Sequence, residues 1–407
     1  MIQVITDSKK IEQVLKRNVE KVIDYSHLKK SLESGRKLRI KLGIDPTGPK
    51  LHLGRAIALW KLREFQELGH QIILIIGDFT GQIGDASDKK AERKTLTLNQ
   101  IKKNIKNYKE QVAKILDIDK VELRYNNEWL SKLRALDVVK LAQQFSIYQM
   151  IERRNFKERF IAKKPMRLHE LMYPLFQAYD SVAVKADVEI GGSDQLFNLK
   201  AGRKIQEVYH QVPQDIMTLE MLLGTDGRKM STSWGNIINI MDPPQEQYGK
   251  IMSIKDELII DYFRLASRLP LEKIAEIKKL LDNKELSPRD AKALLAREIV
   301  SLYHNRQIAL KAEEEFQKIF QKQQLPNNLP LLKLSQAQMN ILDLLVRTKL
   351  CSSKSEAKRL ILQKAVEIDG NLINDWRESV SFHKKPKIIK VGKRRFVKVV
   401  GKKVKNI

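Results

Sequence analysis

The chain of 407 residues predicts an α/β protein whose first 240 residues form a parallel-sheet domain. Three observations carry this. Apolar runs of strand length alternate with amphipathic stretches of helix length. The joints between them are short, as in βαβ units. One run, "QIILIIGD" (71–78), is almost continuously apolar, which marks a strand buried on both faces.

Each element follows in turn. "LRIKLGID" (38–45) reads as the first parallel strand. The stretch after it, "GRAIALWKLREFQELGH", places Ala58, Leu62, Phe65 and Leu68 near helical spacing, with Gly69 as a stop. After the 71–78 strand, residues 97–116 predict one helix, with Ile101, Ile105, Tyr108, Val112 and Ile115 on an apolar stripe and lysines opposite. "KVELRYN" (120–126) is the next strand. Residues 251–320 read as helical, with Ser287-Pro288-Arg289-Asp290 a helix start. "QKQQLPNNLPLLKLS" (321–335) reads as a linker. Beyond it, Ser353 and Glu356 predict a capping box for a helix over 354–364, and Asp369-Gly370 predicts a hairpin turn.

Composition narrows the function. Apolar and charged fractions of 42% and 31% fit a globular protein of two or three domains. No apolar run approaches the roughly 20 residues that span a bilayer. The N-terminal stretch has no basic-then-apolar leader pattern, so a cytoplasmic protein is expected. The single cysteine, Cys351, excludes an internal disulfide and a thiolate zinc cluster. Net charge is +27, which favours a polyanionic partner such as nucleic acid. Residues 351–407 hold 16 Lys and Arg against 5 Asp and Glu, several times the charge density of the rest.

In open parallel sheets, ligands sit beyond the carboxyl ends of the strands, at helix N-termini. His52-Leu53-Gly54 falls there, where backbone N–H groups and the helix dipole favour phosphate. A helix that merely begins with histidine would look the same. A second stretch, "GRKMSTSWGN" (227–236), is a Gly/Ser-rich loop whose Lys229 could close over a triphosphate.

Together, His52-Leu53-Gly54 and Lys229-Met230-Ser231-Thr232-Ser233 resemble the paired HIGH and KMSKS signatures of class I aminoacyl-tRNA synthetases. "GIDPTGPKLHLG", "IGDFTGQIGD", "MYPLFQAYDSV" and "VEIGGSDQLFN" narrow the likeness to the tyrosyl-tRNA synthetases, over nearly the whole chain. The resemblance implies a Rossmann-like catalytic domain (1–240) with a dimerising insertion, an α-helical anticodon-side domain (241–325) and an S4-like α+β RNA-binding domain (336–407). It implies ATP with Mg2+, L-tyrosine and tRNA(Tyr) as reactants, and a homodimer joined around 130–170. No protein metal site is implied.

Site residues carried over by the resemblance are as follows. Thr47, His52, Arg55, Lys89, Arg93, Lys229 and Ser231 would act on the phosphates. His52, Gly54, Gly191, Gly192, Asp194, Lys229 and Met230 would hold ATP. Asp85, Tyr173 and Gln177 would hold the α-amino group of tyrosine, Gln195 its carboxylate, and Asp180 its phenol. Tyr173, Gln177 and Asp180 are spaced to share one helix face. Lys354, Lys358, Arg359, Lys393, Arg394 and Arg395 would meet tRNA phosphates. Three positions depart from the family: Arg55 replaces the second histidine, Thr232 replaces the second loop lysine, and Lys41 replaces a tyrosine that in some members contacts the substrate hydroxyl. Two other readings share these residues: a tryptophanyl-tRNA synthetase, and an RNA-binding protein on a catalytically retired frame. Asp180 and the "GGSDQ" segment favour tyrosine.

Overall fold

The strands form where the apolar runs stand, trimmed at their ends. In the computed structural model, which describes residues 4–85, 96–231, 234–321, 331–334, 336, 338–382, 386–392 and 395–401, the first sheet has six strands. They are β1 (Val19–Ile23), β2 (Arg39–Ile44), β3 (Gln71–Ile76), β4 (Val121–Tyr125), β5 (Val188–Gly192) and β6 (Asp215–Leu219). Their order is β1-β6-β5-β2-β3-β4, and all neighbours are parallel except β1 with β6. Ile72 to Ile76 are all buried, as an unbroken apolar run requires.

The chain passes from β2 through helix Leu53–Glu67 to β3 and β4, then returns to place β5 on the opposite side of β2. The order reverses between β2 and β5, and a crevice opens beyond the carboxyl ends of strands at such a point. Leu59, Leu62 and Phe65 bury one face of the Leu53–Glu67 helix.

The chain divides into two units, Met1–Ala309 and Leu310–Ile407. The first holds the six-stranded sheet and the helices Pro244–Met252, Ile259–Ala266, Leu271–Asp282 and Pro288–Tyr303. Ser287 caps the last of these by accepting from Asp290 N, with Pro288 in the first turn, as its sequence predicts.

The second unit has a five-stranded sheet in the order β10-β9-β12-β13-β7. Its strands are β7 (Leu331–Leu334), β9 (Val366–Ile368), β10 (Asn371–Leu372), β12 (Lys387–Val391) and β13 (Arg395–Gly401); β8 (Gln338–Asn340) pairs separately with β11 (Ser379–Ser381). Helices Ile341–Arg347 and Lys354–Leu362 bury Leu344, Leu345, Ala357 and Ile361 in a core with Val366, Ile389 and Val399. Asp369 and Gly370 both have positive φ, at 51° and 83°, which is the hairpin turn expected between β9 and β10.

Three local expectations are corrected. Residues 97–116 form two helices, Leu98–Ile105 and Tyr108–Ala113, because the backbone turns out of helical geometry at Asn107. The end of the expected linker is a strand: β7 pairs parallel with β13, so "LLKL" is part of the sheet. The capping box at Ser353 is half made. Ser353 accepts from Glu356 N, but the Glu356 carboxylate accepts from Ser352 N and Ser352 Oγ, one residue early. No helix among the described residues is long and apolar enough to cross a membrane.

Candidate active site

A cavity of about 790 Å3 lies beyond the carboxyl ends of β2, β3, β5 and β6. Its walls include Thr47, His52, Gly54, Arg55, Asp85, Tyr173, Gln177, Asp180, Gly191, Gly192, Asp194, Gln195, Lys229, Met230 and Ser231. Two stretches 175 residues apart in sequence therefore meet in one cavity.

The phosphate end is the start of helix Leu53–Glu67. His52 takes its N-cap position, with an extended backbone and no side-chain capping bond. The segment after the loop straps this start in place. Leu53 N donates to Ile238 O, Ile240 N donates to Leu51 O, and His52 forms a bridge with Asn239. Gly54 lacks a Cβ for a steric reason: one would lie 3.1 Å from both Met230 Sδ and His52 Nδ1. Burial, reinforced by the charges of Arg55 and Lys229, holds the His52 imidazole down at about 3, so it is neutral at working pH. Its Nδ1 is buried without a hydrogen-bond partner among the described residues.

Arg55 points into the loop before the helix. Its Nη2 donates to Thr47 Oγ1 at 2.5 Å, and its Nη1 donates to Asp45 O and to the Tyr108 hydroxyl. Lys229 Nζ lies 3.1 Å from Asp194 Oδ2. Ser231 N donates to Asn236 Oδ1, which folds the loop stem.

The other end is a polar floor on helix Leu168–Val184. Tyr173, Gln177 and Asp180 all face the cavity from it. Asp180 Oδ1 accepts from Trp129 Nε1 at 2.8 Å and Oδ2 from Asn126 Nδ2 at 3.2 Å. Burial pushes its carboxyl up to about 7, against the pull of the Lys41 charge and these two donors. Tyr173 donates to Asp45 Oδ2, and Thr80 Oγ1 donates to Asp45 Oδ1. Gln195 Nε2 donates to Asp85 Oδ2 at 2.6 Å. Gln177 is held on both sides: its Nε2 donates to Glu189 and its Oε1 accepts from Asn198.

Lys41 sits beneath this floor, fully buried on β2. Its Nζ contacts Glu189 Oε1 at 2.9 Å and donates to Ser181 Oγ and Gln177 O. Three acceptors match its three donors. It is absent from the cavity wall, so it reaches that wall only through its partners.

Lys89, Arg93, Lys393 and Arg394 lie outside the described residues, as does Thr232. Lys354, Lys358 and Arg359 are exposed on helix Lys354–Leu362, and Lys358 also lies 4.1 Å from the Trp376 ring centroid. Arg395 turns back onto Leu350 O and Glu356. Asp45, Thr80, Asn126, Trp129 and Glu189 were missed in the sequence. Asn126 and Trp129 carry one usable signal, since they are polar-tipped residues at and just past the carboxyl end of a predicted strand.

A family model for class I tRNA synthetases of the W and Y group matches residues 32–321, and one for the SYY-like C-terminal domain of tyrosine–tRNA ligase matches residues 321–399. The tyrosine–tRNA ligase of Thermotoga maritima is 48% identical over 97% of this chain and 98% of its own length. That of Carboxydothermus hydrogenoformans is 46% identical over 98% of this chain and all of its own. Among solved structures, the fold is shared with the truncated mitochondrial tyrosyl-tRNA synthetase of Aspergillus nidulans (TM-score 0.63, 23% identity, 77% of this chain and 94% of that one). It is shared too with the enzyme of Archaeoglobus fulgidus solved with L-tyrosine (TM-score 0.61, 23% identity, 75% of this chain and all of that one). Fold and site thus define a class I tRNA synthetase. Within that class, the chain belongs to the tyrosine–tRNA ligase family.

Proposed function

We propose that this protein activates L-tyrosine with ATP and transfers it to the 3′ end of tRNA(Tyr). A tyrosine carboxylate oxygen attacks the α-phosphorus, the bond to pyrophosphate breaks, and tyrosyl-adenylate forms. A tRNA hydroxyl then attacks the carbonyl carbon and AMP leaves. A carboxylate is already a nucleophile, so the first step needs positioning and charge stabilisation rather than a general base. The single observation that carries this reading is the shared cavity, with a helix start and a lysine loop at one end and a buried carboxylate at the other.

In this reading the neutral His52 and Thr47 donate to phosphate oxygens, and Lys229 leaves Asp194 to meet the departing pyrophosphate. Lys89 and Arg93 add charge there. Asp194 is then released to accept from the ribose, beside Gly191 and Gly192. Gln195 and Asp85 face the carboxylate and the ammonium of tyrosine, and Asp180 accepts from the phenol. Phenylalanine is rejected because it would cover the Asp180 carboxylate without donating a hydrogen bond to it. Among the described residues, no group of three or more His, Cys, Asp and Glu side chains could hold a metal ion. In this reading magnesium enters as the ion of the nucleotide.

The helices over 241–325 serve the anticodon side, and the basic residues of 336–407 bind tRNA phosphates, in a cytoplasmic homodimer. The test is exchange of labelled pyrophosphate into ATP. Exchange that requires tyrosine is expected; none, or exchange that requires tryptophan, overturns the reading.

A further inference from the structure

The loop 46–51 carries Thr47 and leads into His52, yet it has no helix or strand of its own. Two of its residues, Pro46 and Pro49, have no N–H to donate. Four of its backbone groups are met by side chains from the two neighbouring short helices. Asn104 Nδ2 donates to Pro46 O at 2.7 Å. The Tyr108 hydroxyl donates to Gly48 O at 2.6 Å. Gln111 Nε2 donates to Pro49 O at 2.9 Å, and Gln111 Oε1 accepts from Leu51 N at 2.7 Å.

Asn104 stands near the end of helix Leu98–Ile105, and Tyr108 and Gln111 share one face of helix Tyr108–Ala113 at i and i+3, so the three converge on the loop as rungs from two short helices. Tyr108 and Gln111 are buried, at 2% and 1% exposure. The middle rung does a second job: its oxygen accepts from Arg55 Nη1 at 3.2 Å, and Arg55 Nη2 holds Thr47 Oγ1. The departure at position 55 is thereby accounted for. The arginine closes a ring of bonds from Tyr108 to the Thr47 hydroxyl.

We propose that Asn104, Tyr108 and Gln111 are positioning residues for adenylate formation, which together set the 46–51 loop and, through Arg55, the Thr47 hydroxyl against the reacting phosphate. The inference rests on the function proposed above. In-line transfer is sensitive to displacement, and a misplacement of about 1 Å from a remote change can cost about a hundredfold in rate. The floor that binds tyrosine meets the ladder at Asp45, whose carbonyl accepts from Arg55 and whose carboxylate holds Tyr173, and its remaining bonds come from other elements, so loosening the rungs should change it little.

The test uses the full chain with Tyr108→Phe, which keeps the ring and removes the hydroxyl, and with Asn104→Ala. Tyrosine-dependent pyrophosphate exchange gives kcat and the two KM values, equilibrium binding gives the tyrosine Kd, and a melt gives Tm. Tyr108→Phe should lower kcat about tenfold and Asn104→Ala about threefold, each the loss of one or two hydrogen bonds. The tyrosine Kd should stay within about twofold, because none of these bonds reaches the floor. The ladder is overturned if either folded variant keeps the parent kcat. It is equally overturned if kcat falls only alongside a matching loss of tyrosine affinity, since that outcome marks general distortion. Absence of exchange by the unaltered protein overturns both this inference and the function it rests on; exchange by the parent with undiminished variants overturns the ladder alone.

Discussion

At the floor of the cavity, Asp180 is buried and each of its carboxylate oxygens already accepts one hydrogen bond, from Trp129 and Asn126, with a lone pair left for the phenol. At the mouth, Lys229 keeps more than a third of its side chain in solvent and rests on Asp194. The floor is braced before any ligand arrives, because buried polar groups must find partners within the protein. The mouth is made of cations, backbone and a loop that can exchange partners when a polyanion enters. Selectivity is expected at the floor and rate at the mouth. Four measurements would sharpen or break that division.

The largest effect should come from Asp180→Ala. It removes the acceptor and leaves the Trp129 and Asn126 donors unpaired. Tyrosine kcat/KM should fall about a thousandfold. The KM for ATP should stay within about threefold. Steady-state exchange checks both, and an equal loss on the ATP side would abolish the distinction.

Next is Lys41→Met. It strands Glu189, which is 1% exposed, without its cation. A loss of about 3–5 kcal/mol in urea unfolding is expected, and Lys41→Met with Glu189→Leu should recover most of it. If the double variant is as unstable as the single, the pair is not the unit that supports the floor.

His52→Ala should act at the mouth. kcat should drop about a hundredfold, as for loss of one preorganised donor, with tyrosine KM unchanged. A change in tyrosine KM of similar size would show that the two ends are one.

The smallest effect is pH dependence. Burial raises the Asp180 carboxyl to about 7, and only the ionised form is a pure acceptor. Tyrosine kcat/KM should therefore rise, by up to about tenfold, as pH climbs through 7, and then level off. His52, held at about 3, should give no inflection at the ATP end between pH 5 and 8. Stability should run the other way for Asp180. Its folded-state value lies above the unfolded one, so its contribution is full below about pH 4 and is lost as pH rises through 7. A tyrosine profile flat across pH 7 would mean that the carboxyl titrates elsewhere.

Much of this was legible in the residues. The β2, β3 and β4 runs are continuous enough to be read directly, and the residues at the cavity mouth form contiguous motifs whose local pattern has meaning. The floor was harder. Tyr173, Gln177 and Asp180 share one helix and could be read by spacing, but their partners are single residues on different strands. Lys41 and Glu189 are 148 positions apart and meet only because β2 and β5 are neighbours in the sheet. Asp45, Thr80 and Asn126 likewise meet through strand order rather than sequence. Tyr108 read as a member of an apolar stripe; its ring is in the core, while its hydroxyl reaches the loop. The break at Asn107 had no glycine or proline to announce it.

The strap formed by residues 238–240 against 51–53 makes chain length itself a tuned quantity. Only nine residues separate Lys229 from Asn239, which is stapled beside His52. Lys229 is anchored as well, by its bridge with Leu223 and by Asn236 Nδ2 donating to its carbonyl, so one residue more or less, worth up to about 3.5 Å of chain, falls between two fixed ends. Substitutions along this arm can be absorbed one side chain at a time, whereas an insertion or deletion would set its two anchors against each other in a single step.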